Sequence, residues 1–270
     1  AAERGIQIYH LNIGQPDIPT PPAYFEALQN FSHPVVSYVA SQGIPPLISA
    51  IQGYYQKLGV AYDEGDILVT TGGSEALLIA LLCVLDPGDE VIVPEPFYPN
   101  YNSFVRAAGG VIRPLVTSAE DGYLYADRAR FEALINEHTR AILCTNPNNP
   151  TGTVLNQEEF RMIAEVAAEH DLFLISDEVY REFIYSDTPE MCAGVFTDLS
   201  DNIILIDSVS KRFSACGARI GALISKNREL QQHALKLCQA RLSVATVYQE
   251  AAAALYTVYD SYFASVREEY

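Results

Sequence analysis

From residue 66 onward, short apolar runs alternate with amphipathic segments, and this pattern predicts strands that alternate with helices. The apolar runs are continuous, which is typical of strands buried on both faces of a sheet. Seven strands are predicted, over 67–69, 91–93, 111–116, 141–144, 172–175, 203–206 and 220–224. Helices are predicted over 74–85, around 98–108, and over 127–136, 157–169, 228–242 and 247–268.

This order of elements predicts the fold class. Strands joined by helices require crossover connections, which produce a mainly parallel sheet covered by helices on both faces. We therefore expect an α/β fold of three layers with a mainly parallel central sheet. Two more helices are expected before residue 66, one after Pro22 and one that opens at 43–47. Both ends of the chain look cut, because the last residues lie inside a helical pattern without a stop signal.

The composition argues against several classes of partner. The chain has 270 residues, 49% of them hydrophobic, and a formal net charge of −17. This length allows a large α/β domain with a substantial core. A surface so acidic repels nucleic acid and anionic membranes, and we expect neither as a partner. An anionic cofactor can still bind where local hydrogen-bond donors overcome this field.

Cysteine usage and the N-terminal sequence predict a cytoplasmic protein. The five cysteines include no CxxC pair, which is typical of reduced thiols. The first residues lack the basic region and apolar core of a signal peptide. No apolar stretch is long enough to span a bilayer.

Two charged residues follow buried strands at the edge where open α/β sheets bind ligands. Lys211 comes after strand 203–206, and a lysine near low-dielectric protein can act as a nucleophile toward carbonyl compounds. Asp177 follows strand 172–175, where a carboxylate needs a cationic partner such as a pyridinium nitrogen. For Asp177 a helix cap or a nearby arginine is an alternative partner, and for Lys211 the alternative is a solvated basic loop.

A phosphate-sized pocket is predicted beside this lysine. Gly73 and Ser74 lie between a strand and a helix, where glycine permits close approach and free N–H groups favour phosphate. Ser208 and Arg219 flank the lysine and supply a hydroxyl and a forked guanidinium. The alternative for the first pair is an ordinary tight turn in which Ser74 caps the helix.

Two further loops can contact a flat ring. Asn149 lies in the rigid, proline-rich loop 146–152, where its amide can donate to a fixed acceptor. Tyr98, or its neighbour Phe97, follows strand 91–93 and can stack on a ring. A plain proline turn and packing in the core are the respective alternatives. The histidines show no metal-ligand spacing, and there is no GxSxG, P-loop or GxGxxG motif, so we expect no metal.

These motifs in this order resemble the class I/II aminotransferases, which are fold-type I pyridoxal-phosphate enzymes. The resemblance runs from Leu11-Asn-Ile-Gly-Gln-Pro-Asp17 through Arg219-Ile-Gly221. It implies pyridoxal 5′-phosphate as cofactor and transfer of an amino group between an L-amino acid and a 2-oxo acid. It also implies a small domain to which residues 1–34 contribute. Residues 35–270 would form the large cofactor-binding domain, ending in a long helix toward a missing C-terminal domain.

The resemblance also implies roles for single residues. Lys211 would form the Schiff base with the cofactor and move the proton during catalysis. Asp177 would keep the ring nitrogen protonated, Tyr180 and Asn149 would bond the phenolic oxygen, and Tyr98 would stack on the ring. The remaining roles are phosphate binding by Gly73, Ser74, Ser208 and Arg219, and a contribution to the substrate pocket by Gly14 and Asn149.

Tyr38 resembles the family's tyrosine that reaches the phosphate of the neighbouring subunit, which implies a homodimer with shared active sites. The sequence departs from the family at Ala218, where tryptophan is frequent. The family's arginine for the substrate carboxylate lies in a C-terminal domain absent from this sequence, so the amino-acid donor stays open. Two alternatives to the aminotransferase also stay open: a carbon–sulfur β-lyase on the same fold, and the aminotransferase-like sensor domain of a transcription regulator.

Overall fold

One seven-stranded sheet forms the centre of the protein in a computed structural model that describes residues 4–8, 14–258 and 260–270. The strands are β1 (Ile67–Thr70), β2 (Glu90–Glu95), β3 (Val111–Val116), β4 (Thr139–Thr145), β5 (Phe173–Asp177), β6 (Ile203–Ser208) and β7 (Gly221–Ile224). Their order across the sheet is β1-β7-β6-β5-β4-β2-β3. Strand β7 is antiparallel to β1 and β6, and the other neighbouring pairs are parallel. The predicted mainly parallel sheet is therefore confirmed.

The helices lie before, between and after the strands. They are α1 (Pro22–Asn30), α2 (Pro45–Lys57), α3 (Gly72–Val84), α4 (Asn100–Ala107), α5 (Arg128–Glu132), α6 (Gln157–Glu169), α7 (Val209–Arg212), α8 (Arg228–Ala240), α9 (Thr246–Leu255) and α10 (Asp260–Glu269). Helices α1 and α2 start on proline, whose fixed φ suits the first turn. Helix α6 starts on a capping box between Asn156 and Glu159.

The prediction of one helix over 247–268 is wrong, because α9 ends at Leu255 and α10 begins at Asp260. Beyond Leu255 the backbone N–H groups of Tyr256 and Thr257 bond carbonyls three residues back, which tightens and closes the last turn. The Thr257 hydroxyl also donates to the Ala254 carbonyl, at 2.7 Å, which is the same carbonyl that accepts from the Thr257 N–H. The apolar spacing continues across the break, and therefore the sequence pattern did not reveal it.

Alternate residues of each central strand pack against opposite helical layers, as expected for a sheet covered on both faces. In β4, Ala141 and Leu143 belong to the same cluster as residues of α3 and α8, whereas Ile142 packs with residues of α6. All three are fully buried. A further cluster joins α2 and α9 to the β1–β7 end of the sheet. No helix in the described ranges is long and apolar enough to cross a membrane.

Candidate cofactor site

A cavity of about 700 Å³ opens at the carboxyl edge of the sheet. Strand β7 is antiparallel to both β1 and β6, so β1, β6, β5 and β4 all run in one direction and end at this edge. The loops after these strands therefore bring distant parts of the sequence together. Ten residues predicted from the sequence line the cavity: Gly14, Gly73, Ser74, Tyr98, Asn149, Asp177, Tyr180, Ser208, Lys211 and Arg219.

Tyr38 is the predicted site residue that does not line this cavity. Its side chain lies on the surface and is 80% exposed. Val35 and Val36 in the same segment are also exposed, at 70% and 64%. Three large apolar side chains within four residues thus face outward, away from the cavity of their own chain.

Lys211 lies in the short helix α7, directly after β6. Its Nζ donates a hydrogen bond to the Gly14 carbonyl and lies 3.9 Å from Cys216 Sγ. The centre of the Tyr180 ring is 6.0 Å from the same nitrogen. The amine thus projects into the cavity and has no carboxylate partner among the ion pairs of the described residues.

A buried ion pair fixes the segment that carries Lys211. Arg212, the next residue, donates to both carboxylate oxygens of Asp207, at 2.7 and 3.1 Å. Tyr55 donates to the same carboxylate at 2.9 Å, and all three side chains are almost fully buried. Burial raises the pKa of Asp207, but the guanidinium groups of Arg212 and Arg181, with the hydrogen bonds from Arg212 and the Ser208 N–H, together outweigh this and leave the pKa below its usual value. These bonds restrain Asp207 and Arg212, which flank the segment from Ser208 to Lys211.

Asp177 ends β5 and is only 6% exposed. Its carboxylate accepts hydrogen bonds from the Tyr101 hydroxyl at 2.8 Å and from the Val179 N–H at 3.3 Å. No ion pair among the described residues includes it, so the arginine partner considered from the sequence is not present there. Burial raises its pKa to about 6, although the bond from Tyr101 opposes this shift. A buried acid without a cation suits a ligand that brings its own positive N–H group.

The end of the cavity that was predicted to bind phosphate is built from backbone and a guanidinium. Helix α3 begins at Gly72 with Thr71 as the preceding residue, so Ser74 lies in the first turn and is not the helix cap. Gly72 has a φ of +77°, and a Cβ there would lie 2.5 Å from an Arg219 nitrogen. Within the described part of the chain, Arg219 donates only to carbonyls, those of Cys216 at 3.0 Å and Thr71 at 3.4 Å. The unpaired guanidinium and the free N–H groups of the helix start form a cradle for an anion.

Asn149 and Tyr180, the two side chains predicted to bind the phenolic oxygen of the cofactor, contact each other. The Asn149 amide donates to the Tyr180 hydroxyl at 3.4 Å. Burial, followed by the nearby Asp177 carboxylate, raises the pKa of Tyr180 to about 12, so this phenol stays protonated and can donate. Tyr98 is half-buried in the cavity wall, and its ring meets Tyr101 edge-on with centres 5.5 Å apart.

The sequence did not reveal several residues of the cavity: Gln15, Leu77, Pro99, Tyr101, Thr145, Val179, Ser210 and Cys216. For Ser210 the sequence did contain a signal, because it lies between the predicted site residues Ser208 and Lys211. In the structure its hydroxyl is 2.8 Å from that of Ser208. Thr145 also had one, because it directly follows the strand predicted over 141–144. Tyr101 had none, because its partner Asp177 is far away in the sequence.

The site defines a class of protein. A primary amine, a buried carboxylate without a cation and an anion cradle lie around one cavity, and this donor set fits pyridoxal 5′-phosphate. The fold and the site are therefore those of an α/β protein whose cavity can hold pyridoxal 5′-phosphate. The model of the family "Aminotransferase class I and II" matches residues 6–268, and the chain belongs to that pyridoxal-phosphate-dependent family.

Curated relatives and solved structures agree with this family. The chain is 34% identical over 240 residues to an aspartate aminotransferase of Streptomyces avermitilis, covering 85% of this chain and 59% of that protein. It is 34% identical over 249 residues to a probable N-acetyl-LL-diaminopimelate aminotransferase of Bacillus subtilis, covering 91% and 62%. The structure of aspartate aminotransferase from Thermus thermophilus with maleate superposes with a TM-score of 0.92 at 30% identity, covering 99% of this chain and 70% of that chain. The chain therefore spans about three fifths of these curated relatives.

Proposed function

We propose that the protein is a pyridoxal-phosphate-dependent aminotransferase that moves an amino group between an L-amino acid and a 2-oxo acid. The observation that carries this proposal is the single cavity shared by Lys211 Nζ, the carboxylate of Asp177 and the guanidinium of Arg219. The names of the relatives include aspartate, aspartate/prephenate and diaminopimelate-type aminotransferases, which agrees with amino-acid substrates.

The cavity residues that were predicted from the sequence would each have a defined task in this reaction. The bound cofactor supplies an aldehyde that captures amines and a ring that accepts electrons from the substrate α-carbon. Arg219, Ser208 and the N–H groups at the start of α3 would bind its phosphate, and Asp177 would accept a hydrogen bond from its ring nitrogen and keep the proton there. Asn149 and Tyr180 would donate to its phenolic oxygen, and Tyr98 would stack on its ring.

Lys211 performs the proton transfer. With the cofactor bound, its Nζ would act as the general base that takes a proton from the substrate α-carbon and would return that proton to the cofactor, which requires a free amine. The Asp207–Arg212 pair fixes the short helix α7 and so holds the amine in the cavity. Gly14, whose carbonyl accepts a hydrogen bond from Nζ, lines the cavity together with Gln15.

A half-reaction screen tests this function. Single amino acids are added to cofactor-loaded protein while the visible absorbance is followed and the products are identified. We expect the yellow colour to bleach with one class of amino acid, one equivalent of its 2-oxo acid to appear, and a second 2-oxo acid to restore the colour. Release of pyruvate, together with sulfide from cysteine or with homocysteine from cystathionine, without bleaching by any amino acid, would instead identify a β-lyase.

We further propose a homodimer in which Tyr38 of one subunit reaches the cofactor phosphate of the other. The support is the exposed apolar segment around Tyr38, since surfaces of this kind mark protein–protein contacts. A two-fold interface would bring the same segment of each subunit to the cavity of its partner. The unpaired thiols support a cytoplasmic location.

Subunit mixing gives a test of this arrangement. Tyr38→Ala and Lys211→Ala are each expected to abolish most activity, but a hybrid dimer would contain one site with a native Lys211 and a native Tyr38. We expect an equal mixture, after exchange of subunits, to regain about a quarter of the wild-type activity, because half of the dimers are hybrids with one native site each. A mixture no more active than the sum of its parts would contradict the shared site.

The domain boundary is also a proposal. We propose that residues 1–34 contribute to a small domain and that residues 35–270 form the large domain. Residues 14–20 support this, because Gly14 and Gln15 line the cavity and the segment that follows them is held by side-chain bonds. Thr20 donates to the Ser214 carbonyl at 2.6 Å, and Tyr270 donates to Asp17 at 2.9 Å.

A further inference from the structure

Tyr101 is a buried residue of the cavity wall that the reaction described above does not use. It lies in α4 and is 1% exposed. Its hydroxyl donates to Asp177 Oδ2 at 2.8 Å and lies 2.5 Å from the Thr145 hydroxyl. Its ring packs against Phe97, in a stacked arrangement, and edge-on against Tyr98.

The direction of these hydrogen bonds follows from counting protons. An ionised carboxylate only accepts, and a phenol has a single proton, so the Tyr101 proton lies toward Asp177. The hydroxyl of Thr145 must then donate to the phenolic oxygen of Tyr101. The result is a directed chain from Thr145 through Tyr101 to Asp177, buried from end to end.

We propose that Tyr101 is a positioning residue that holds Asp177 ionised and oriented, so that the shared proton stays on the ring nitrogen of the cofactor. This inference rests on the proposed function. A hydrogen bond to the charged form of an acid favours that form, and here it opposes the burial that favours the neutral acid. Without the phenol, the proton between the acid and the ring nitrogen would move toward Asp177, and the ring would become a weaker electron acceptor.

Other charged and titratable groups also surround Asp177, and they set the background against which Tyr101 acts. Glu178 and Asp207 disfavour its ionised form, and its burial acts in the same direction. The remaining titratable groups that share the cavity wall are Tyr98, Tyr180, Lys211, Cys216 and Arg219. None of these is altered by a change confined to the Tyr101 hydroxyl, so any change in titration of Asp177 would belong to the lost hydrogen bond.

The variant Tyr101→Phe tests the inference, because it removes one oxygen and retains the ring that packs on Phe97 and Tyr98. In cofactor-free protein labelled with ¹³C-aspartate, we expect the titration midpoint of Asp177 to rise by about one to two pH units, the effect of losing one bond to a charged group. In protein loaded with ¹⁵N-labelled cofactor, we expect the ring-nitrogen signal to move from the protonated toward the neutral position. Turnover should fall about tenfold or more.

Two further variants separate the hydroxyl's role from general packing. Tyr125→Phe removes the hydroxyl of another fully buried tyrosine, which has no hydrogen-bond partner among the described residues and lies outside the cavity, and should leave both spectra unchanged. Thr145→Val should shift both signals in the same direction as Tyr101→Phe, but less. Identical Asp177 midpoints and ¹⁵N positions in wild type and Tyr101→Phe would overturn the inference and leave the aminotransferase proposal standing. A wild-type protein that never takes up cofactor would overturn both.

Discussion

Replacing Lys211 with alanine is expected to reduce transamination by about a thousandfold or more, within the range that general acid–base catalysis contributes. The reason is that no other amine among the residues lining the cavity can carry the proton between the two carbons. The phosphate cradle and Asp177 remain, so the variant should still bind the cofactor. Single-turnover absorbance measurements on cofactor-loaded protein would give the rate of the chemical step directly.

Two control variants make this result specific. Lys226→Ala removes a lysine whose Nζ lies 5.7 Å from the centre of the Tyr62 ring, outside the cavity, and should retain full activity. Lys211→Arg keeps a positive charge but not a removable proton at neutral pH, so it should be as inactive as the alanine variant. Near-normal turnover in Lys211→Ala would refute the assigned role.

The second large effect is expected from Asp177→Asn, which preserves shape but removes the negative charge. The amide cannot hold a proton on the ring nitrogen by charge, and the ring then accepts electrons poorly. We expect turnover to fall at least about a hundredfold, because a charged hydrogen bond in a buried site is lost together with the electrostatic stabilisation it gives. Steady-state kinetics and the ¹⁵N signal of the cofactor ring would both report the change.

The same substitution should stabilise the cofactor-free protein. Burial raises the pKa of Asp177 to about 6 in the folded state, above its unfolded value, so folding takes up a proton between these pH values. The stability penalty of the ionised acid is therefore absent near pH 4 and grows until the pH passes about 6. Asp177→Asn should gain up to about 3 kcal/mol over wild type at pH 8 and almost nothing at pH 4. Urea unfolding at both pH values measures this, and equal gains at both would contradict the pKa shift.

The sheet could be predicted because burial on both faces leaves a strong pattern in the sequence. Runs such as Ile203–Ile206 are apolar at every position, and each of the seven predicted runs is a strand in the structure. Open α/β sheets generally bind ligands at the carboxyl ends of their strands. Asp177 and Lys211 both follow such strands, so the sequence alone predicted that they lie close together. The family resemblance then supplied the individual roles.

What could not be predicted depends on contacts between distant residues. The pair Glu178 and Arg181 is completely buried, although charged residues are read from sequence as surface positions. The bond from Tyr101 to Asp177 joins a helix to a strand end, and no local pattern marks it. The end of α9 depends on local hydrogen bonds of Thr257 and its neighbours, while the apolar spacing continues unchanged.

Chemical trapping of the cofactor on its lysine tests the central claim most directly. The protein is loaded with pyridoxal 5′-phosphate, reduced with borohydride and digested, and the modified peptide is identified by mass spectrometry. We expect one phosphopyridoxyl group per chain, on Lys211, and none on the other lysines of the sequence, Lys57, Lys226 and Lys236. A label on any of these three, or none at all after loading, would contradict the proposal that this cavity holds the cofactor.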